Sequence, residues 1–110
     1  MSSVPSVRIA ELAAHAGQRV TVRAWVTHVR TSGKIAFAVL RDGTGVCQAV
    51  FVKSQITPEV WASFSELTTE TSVAVTGEAR PEPRAPGGFE LGVTDLRIIG
   101  TSPSDYPIQP

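Results

Sequence analysis

Residues 17–53 read GQRVTVRAWVTHVRTSGKIAFAVLRDGTGVCQAVFVK. This stretch holds three runs of β-branched and apolar residues, separated by two short segments of glycine and polar residues. The runs are 18–30, 35–41 and 46–53, and the turns are 31–34 and 42–45. In the first run apolar residues alternate with polar ones, which predicts a strand with one face in a core. Runs bounded by turn residues in this way predict three consecutive antiparallel strands.

A helix is predicted directly after these strands. Thr57 is a suitable N-cap and Pro58 suits the first helical position. Apolar residues then recur at helical spacing, so we expect a helix over roughly 58–66. Trp61 and Phe64 lie on its apolar side and are expected to be mostly buried.

Two further strands and a short N-terminal helix complete the prediction. Residues 71–79 and 89–100 are strand-like, and a switch of apolar parity in the second predicts a bulge near Asp95. The proline- and glycine-rich residues 80–88 between them predict a loop. Residues 7–16 space their apolar side chains at helical intervals. This order predicts an all-β protein, a five-stranded OB-fold barrel with one helix between strands three and four.

The charge of the chain is unevenly distributed. The formal net charge is zero, yet residues 17–53 contain six Lys or Arg residues and one acid, Asp42, a net charge of +5. Residues 54–79 contain four acids and no base. A basic strand surface that also carries an aromatic and an amide side chain is typical of a grip on single-stranded nucleic acid. The alternative is that these bases are ordinary solvated strand ends.

Four residues are candidates for contact with bases. Phe37 offers an aromatic face for stacking, and the Gln48 amide offers a donor and an acceptor for the edge of a base. Arg30 can reach a phosphate or a carbonyl, and the Glu90 carboxylate can accept from amino or imino groups. The residues in line with Phe37 on its strand are also apolar, so burial of Phe37 in the core remains open at this stage.

The chain resembles a known family over nearly its whole length. It is similar to the N-terminal anticodon-binding domain of the class IIb aminoacyl-tRNA synthetases, which comprise the aspartyl, asparaginyl and lysyl enzymes. The shared pattern stands here, with its intervals preserved, at Trp25–Val26, Arg30, Phe37, Arg41–Asp42 and Gln48. The segment RAPGGFEL (84–91) and the exit DYPIQP (105–110) look most like the bacterial asparaginyl branch. One departure is Ala24, where the family usually has glycine.

The resemblance implies a role for five residues in reading the anticodon of a tRNA. Phe37 is expected to stack on the central anticodon uridine, and Arg30 and Gln48 to hydrogen-bond that uridine. Glu90, with Arg80 nearby, is expected to contact the guanine-type base at the wobble position. The chain itself is not expected to catalyse a reaction or to hold a cofactor or a metal. The parent enzyme implied by the resemblance is an asparagine–tRNA ligase that uses ATP and magnesium and is a homodimer.

The expected organisation has three parts. Residues 1–16 are a tail with the short helix, 17–102 are the OB-fold domain, and 103–110 are a linker towards a catalytic domain. A single cysteine, Cys47, fits a reducing compartment, and there is neither a signal peptide core nor an apolar run long enough for a membrane span. We therefore expect a cytoplasmic location and no membrane partner.

Three alternatives to the asparaginyl reading stay open. The first is the anticodon-binding domain of an aspartyl-tRNA synthetase. The second is a stand-alone OB module for single-stranded nucleic acid, which is expected to carry several exposed aromatic residues. This chain has only seven aromatic residues, and two of them lie on the predicted helix. The third is a domain for protein interaction or dimerisation.

Overall fold

The computed structural model describes residues 4–67 and 71–100, and more than half of these described residues lie in strands. Within those ranges the strands are β1 (Ser6–Val7), β2 (Arg19–Ser32), β3 (Ile35–Arg41), β4 (Val46–Val52), β5 (Ser72–Pro81) and β6 (Phe89–Gly100). An α-helix, α1 (Pro58–Phe64), lies between β4 and β5. Short 3-10 helices span Ile9–His15, Lys53–Gln55 and Pro86–Gly88.

The five long strands close into a ring. Strand β3 is antiparallel to both β2 and β4, β4 is parallel to β6, and β6 is antiparallel to β5. Because β5 also pairs with the first half of β2, the hydrogen bonding returns to the strand where it began. A register shift between Val26 and His28 marks the place where β2 passes from β5 to β3. The short β1 adds a parallel partner to β2. This is the strand order expected from the sequence, with the helix in the expected place.

The core fills the interior of the ring and is capped by α1. Alternate residues of β2 are buried, as its pattern predicted. Phe51 is fully buried, and its ring centroid lies 5.0 Å from that of Phe64 on α1. The Thr57 hydroxyl accepts a hydrogen bond from the Val60 amide at 3.2 Å, which confirms the predicted cap. Phe64 is buried as expected, whereas Trp61 is only partly buried against the core.

The last two strands correct one prediction and confirm another. Strand β5 continues to Pro81, so Arg80 lies in a strand and not in the predicted loop. Arg80 pairs directly with Glu90. Proline is tolerated at a strand end, so β5 can continue beside β6 as far as Pro81. On β6, Asp95 pairs with Thr76 while Val93 pairs with Gly77, so Thr94 is the extra residue of a bulge. The bulge predicted near Asp95 is therefore confirmed.

The N-terminal helix and the turn between β2 and β3 differ slightly from the prediction. The predicted N-terminal helix is a 3-10 helix over Ile9–His15, and it buries Ile9 and Leu12. The predicted turn 31–34 is tighter than expected, because Ser32 and Ile35 already pair and only two residues connect β2 to β3. The predicted linker 103–110 lies outside the described residues, and the predicted domain bounds stay a prediction.

Candidate nucleic-acid interface

The five residues singled out in the sequence lie one on each strand of the ring. Arg30 of β2 pairs with Phe37 of β3. On β4, Gln48 lies diagonally across from Phe37, because Phe37 pairs with Val50 and Val39 pairs with Gln48. Gln48 pairs in turn with Glu90 of β6, and Glu90 pairs with Arg80 of β5. The structure therefore brings Arg30, Phe37, Gln48, Glu90 and Arg80 into a row, which we name the five-strand row.

Phe37 lies on the outer face of the ring. Its neighbours Ala36 and Ala38 point into the core and are fully buried, whereas Phe37 is partly exposed. The Arg30 guanidinium carbon lies 4.6 Å from the centroid of the Phe37 ring. A cation over an aromatic face contributes about 0.5–1 kcal/mol at an exposed site. The question left open by the sequence is thus answered: Phe37 is not a core residue.

Gln48 occupies the centre of the five-strand row. The side chains before and after it, Cys47 and Ala49, are fully buried, which places the Gln48 amide on the outer face. Diagonal neighbours across an antiparallel pair are about 7–8 Å apart, a separation that one nucleotide base can bridge. A base stacked on Phe37 could therefore present its edge to Gln48.

Arg80 and Glu90 form an ion pair at the far end of the row. The Arg80 Nη2 atom lies 3.1 Å from Glu90 Oε2, and the side chains are 42% and 18% exposed respectively. Arg80 Nε is buried, and it has no hydrogen-bond partner among the described residues. The Arg80 side chain is more than a third exposed, so solvent screens the pair, although the Glu90 side chain is mostly buried. The ion pair places the Arg80 donor group and the Glu90 acceptor group side by side, where both can meet a ligand.

Gly92 also belongs to this site, although it was not among the residues predicted for it. A Cβ atom on Gly92 would lie 2.7 Å from Arg80 Nη2, so the guanidinium rests against the bare backbone of Gly92. The available signal was a glycine inside a predicted strand, because such a glycine often marks the close approach of another group. A shallow cleft of about 290 Å³ adjoins the pair and is also lined by Arg19 and Glu78.

The loop before β6 is held against β4. Gly87 has a φ of +76°, and a Cβ atom on it would collide with the Val46 carbonyl oxygen. Inside the loop, the Glu82 amide donates to the Gly88 carbonyl at 2.9 Å, and Ala85 is buried. Only glycine allows this approach with that backbone conformation. The contact fixes the start of β6 and hence the position of Glu90.

Asp42, the acid among the bases of residues 17–53, is engaged elsewhere. Its Oδ2 accepts from the Ile9 amide at 2.8 Å, and its Oδ1 accepts from the Thr44 amide at 2.8 Å and the Thr44 hydroxyl at 2.6 Å. Partial burial raises the pKa of Asp42, but these hydrogen bonds and one from the Gly45 amide outweigh it and lower the pKa overall. Asp42 thus fastens the N-terminal 3-10 helix to the turn after β3.

The single cysteine, Cys47, is buried in the interior of the fold. Burial, and to a lesser extent the charge of Asp42, raises the pKa of the Cys47 thiol to about 12, so the thiolate nucleophile is scarce at neutral pH. In residues 4–67 and 71–100 no three His, Cys, Asp or Glu side chains cluster as metal ligands. Across the same residues, no helix has the length and apolar character to cross a membrane.

Comparison with known proteins gives related findings at the level of sequence and structure. The asparagine–tRNA ligase of Koribacter versatilis is 44% identical in an alignment 112 residues long, which covers 100% of this chain and 25% of that relative. The asparaginyl-tRNA synthetase of Pyrococcus horikoshii, solved with asparaginyl-adenylate, matches with a TM-score of 0.81 at 33% identity, over 97% of this chain and 25% of that one. A putative aspartyl-tRNA synthetase from Leishmania major matches with a TM-score of 0.78 at 25% identity, over 93% and 22% of the two chains.

The chain spans about a quarter of the length of these relatives. Its match to a family described as an OB-fold nucleic acid binding domain extends over residues 20–99, which is most of the ring. The matched segment contains every member of the five-strand row. On this match, the chain belongs to the OB-fold nucleic acid binding domain family.

Proposed function

We propose that this chain is the anticodon-binding domain of an asparaginyl-tRNA synthetase, and that the five-strand row reads the anticodon. The observation that carries the proposal is the row itself, in which a partly exposed aromatic ring is flanked by groups that can hydrogen-bond bases. Support also comes from the relatives, which are asparagine–tRNA ligases matched across 100% of this chain.

The first half of the row suits a uridine. The Arg30 guanidinium covers one face of the Phe37 ring, and a base that takes its place there frees it to donate to a uracil carbonyl oxygen. Gln48 both donates and accepts through its amide. Uracil offers a carbonyl, an imino N–H and a second carbonyl along its edge. Cytosine replaces one of those carbonyls by an amino group, which leaves an Arg30 or Gln48 donor facing another donor.

The second half of the row suits a guanine. The Glu90 carboxylate accepts from the imino and amino groups of the guanine edge, and Arg80 donates to a carbonyl oxygen. Adenine offers an acceptor where guanine has its imino N–H. The placement of Arg80 next to Glu90 therefore favours guanine over adenine at the first anticodon position.

The activity of the longer parent protein belongs to the proposal as well. The parent attaches asparagine to its tRNA, uses ATP and magnesium in a catalytic domain outside this chain, and works as a homodimer in the cytoplasm. The buried single thiol of Cys47 is in keeping with a reducing compartment.

The test is a titration of the 110-residue chain with labelled anticodon stem-loops at a stated salt concentration. We expect stem-loop GUU to bind weakly, and replacement of its central uridine by cytidine to weaken binding roughly 5- to 100-fold, because one matched contact becomes a mismatch. Affinity should fall steeply as salt rises from low to physiological concentration. Equal affinity for all sequences would instead indicate a general single-strand-binding module.

A matched pair of variants separates the row from general charge. Arg30→Ala and Arg97→Ala each remove one positive charge from an exposed strand position. Arg97 lies on β6 outside the row. We expect Arg97→Ala to weaken all stem-loops slightly and alike, and Arg30→Ala to remove the preference for the central uridine as well.

The aspartyl alternative has a specific observation in its favour, the structural match to a putative aspartyl-tRNA synthetase. Asparagine and aspartate tRNAs differ at the third anticodon base, and stem-loops GUU and GUC test that position directly. A preference of the chain for GUC would assign it to the aspartyl branch.

A further inference from the structure

Gly92 stands at a costly position for a glycine. It lies in the interior of β6, where it pairs with Val50 on one side and with Glu78 on the other. Glycine in a strand interior loses more conformational entropy on folding than alanine and packs no side chain. Gly92 follows Glu90 by two residues, so it shares the outer face with the five-strand row. We therefore expect a contact that requires glycine at position 92 and offsets this loss of stability.

The geometry supplies that contact through Arg80. A Cβ atom on Gly92 would meet the guanidinium at 2.7 Å from Nη2 and at 2.9 Å from Cζ, both closer than real Cβ contacts allow. Nη2 is the same atom that lies 3.1 Å from Glu90 Oε2. The Arg80 guanidinium therefore lies against the backbone of Gly92 while it forms the ion pair with Glu90.

We propose that Gly92 is a positioning residue for recognition of the base at Glu90. Because Gly92 has no Cβ atom, the Arg80 guanidinium can lie against the Gly92 backbone and hold the Glu90 carboxylate in one orientation. A carboxylate has about four acceptor sites, so one ion pair leaves others for the imino and amino groups of a guanine. This inference rests on the proposed function of the row, and it assigns the selectivity at one base to a residue that does not touch that base.

The expected effect of Gly92→Ala is selective. An added Cβ atom would meet the end of the flexible Arg80 side chain and not backbone. Arg80 and Gly92 both line the open cleft, so the guanidinium has space to move away. Alanine is also the better strand residue. The variant should thus melt at the same temperature as the wild type or slightly higher, while Glu90 loses its fixed partner.

The test measures the ratio of affinities for stem-loops that carry guanosine or adenosine at the first anticodon position. Gly92→Ala should lower this ratio about tenfold, the effect of one displaced contact. Inosine, which lacks the amino group of guanosine, should be distinguished from guanosine by the wild type and hardly by the variant. The preference for the central uridine should be unchanged, because Arg30, Phe37 and Gln48 are untouched.

A double-variant cycle shows whether Gly92 acts through Arg80. Arg80→Ala should lower the guanosine preference on its own, and adding Gly92→Ala to it should change nothing further. Additive effects would overturn the inference. Thr94→Ala, which alters another residue lining the cleft, serves as the control and should keep the guanosine preference.

Three further outcomes are decisive. If Gly92→Ala is folded and keeps the full guanosine preference, the inference is wrong while the proposed function stands. If Gly92→Ala melts at a lower temperature, the Arg80→Ala background must restore it, and a failure to do so also overturns the inference. If the wild type prefers neither the central uridine nor the guanosine, the proposed function and the inference fall together.

Discussion

Replacement of Phe37 by alanine tests whether the ring reads RNA or only covers the barrel. The ring lies on the outer face, is partly exposed and carries the Arg30 guanidinium 4.6 Å from its centroid. Loss of a stacked base costs about 1–3 kcal/mol of binding free energy, which is roughly 5- to 150-fold in Kd. We therefore expect Phe37→Ala to weaken binding of stem-loop GUU within that range.

The cost in stability should be smaller than for a core phenylalanine. Phe37→Ala loses a cation–π contact and a partly buried ring, together about 1–2 kcal/mol of the free energy of unfolding. Phe51→Ala is the contrasting core variant, because Phe51 is fully buried and in contact with Phe64. It should cost about 3–5 kcal/mol through the cavity that it leaves.

The assay combines urea denaturation with titration of the stem-loop for each variant. Phe37→Tyr keeps an aromatic face and should recover most of the lost affinity, whereas Phe37→Leu keeps apolar bulk and should not. Unchanged binding by folded Phe37→Ala, or full recovery by Phe37→Leu, would refute the stacking role.

Three other perturbations follow from the structure. The lowered pKa of Asp42 means that its ionised form stabilises the fold, so the free-energy gap between wild type and Asp42→Asn should be full above the ordinary pKa of 3.8 and shrink as pH falls through the lower folded value, as measured by urea denaturation across pH 2–7. Gly87→Ala should destabilise the protein by more than the roughly 1–3 kcal/mol of backbone strain, because its Cβ also meets the Val46 carbonyl; Gly88→Ala, with φ +82° and open space, should show the strain alone in the same assay. Cys47 is fully buried and its pKa is raised to about 12, so iodoacetamide should alkylate it far more slowly than a free thiol, and added urea should speed the reaction as the unfolded population grows, as followed by mass spectrometry.

Local patterns in the sequence predicted the strands well. The bounds of β3 and β6 agree with the predicted runs 35–41 and 89–100 because turn residues delimit them. The parity switch around Asp95 was enough to locate the bulge, since the pleat repeats every two residues. Strand bounds and bulges depend on residues that are close in the chain, so they can be predicted from the sequence alone.

Features that depend on distant contacts were not predictable in the same way. The spacing of Ile9 and Leu12 suits a 3-10 helix as well as an α-helix, and the hydrogen bond from the Ile9 amide to Asp42 joins residues 33 apart in the chain. Proline density around Arg80 indicated a loop, whereas pairing with Glu90 extends β5 through it. A glycine at position 92 is visible in the sequence, but the guanidinium that lies on it is not.

The five residues of the five-strand row were proposed from the sequence, but their arrangement and the part of Gly92 beside them were not. Arg30, Phe37 and Gln48 stand at intervals that mark a family pattern, and that pattern implied contact with one uridine. Parity could not place Phe37 outside or inside, because its strand is apolar on both faces. Only closure of the ring, which buries the alanines on either side of Phe37, settles the face.

Because each strand of the ring supplies one member of the five-strand row, the row exists only in a completely folded domain. The groups that would meet an anticodon are preorganised: their conformational freedom is lost when the ring closes, so binding needs little further ordering. Binding and folding are then thermodynamically linked, and a stem-loop at 100 times its Kd raises the free energy of unfolding by about 2.7 kcal/mol. That gain is shared by all five strands, and hydrogen exchange should slow around the whole ring and not only at the surface that meets the RNA.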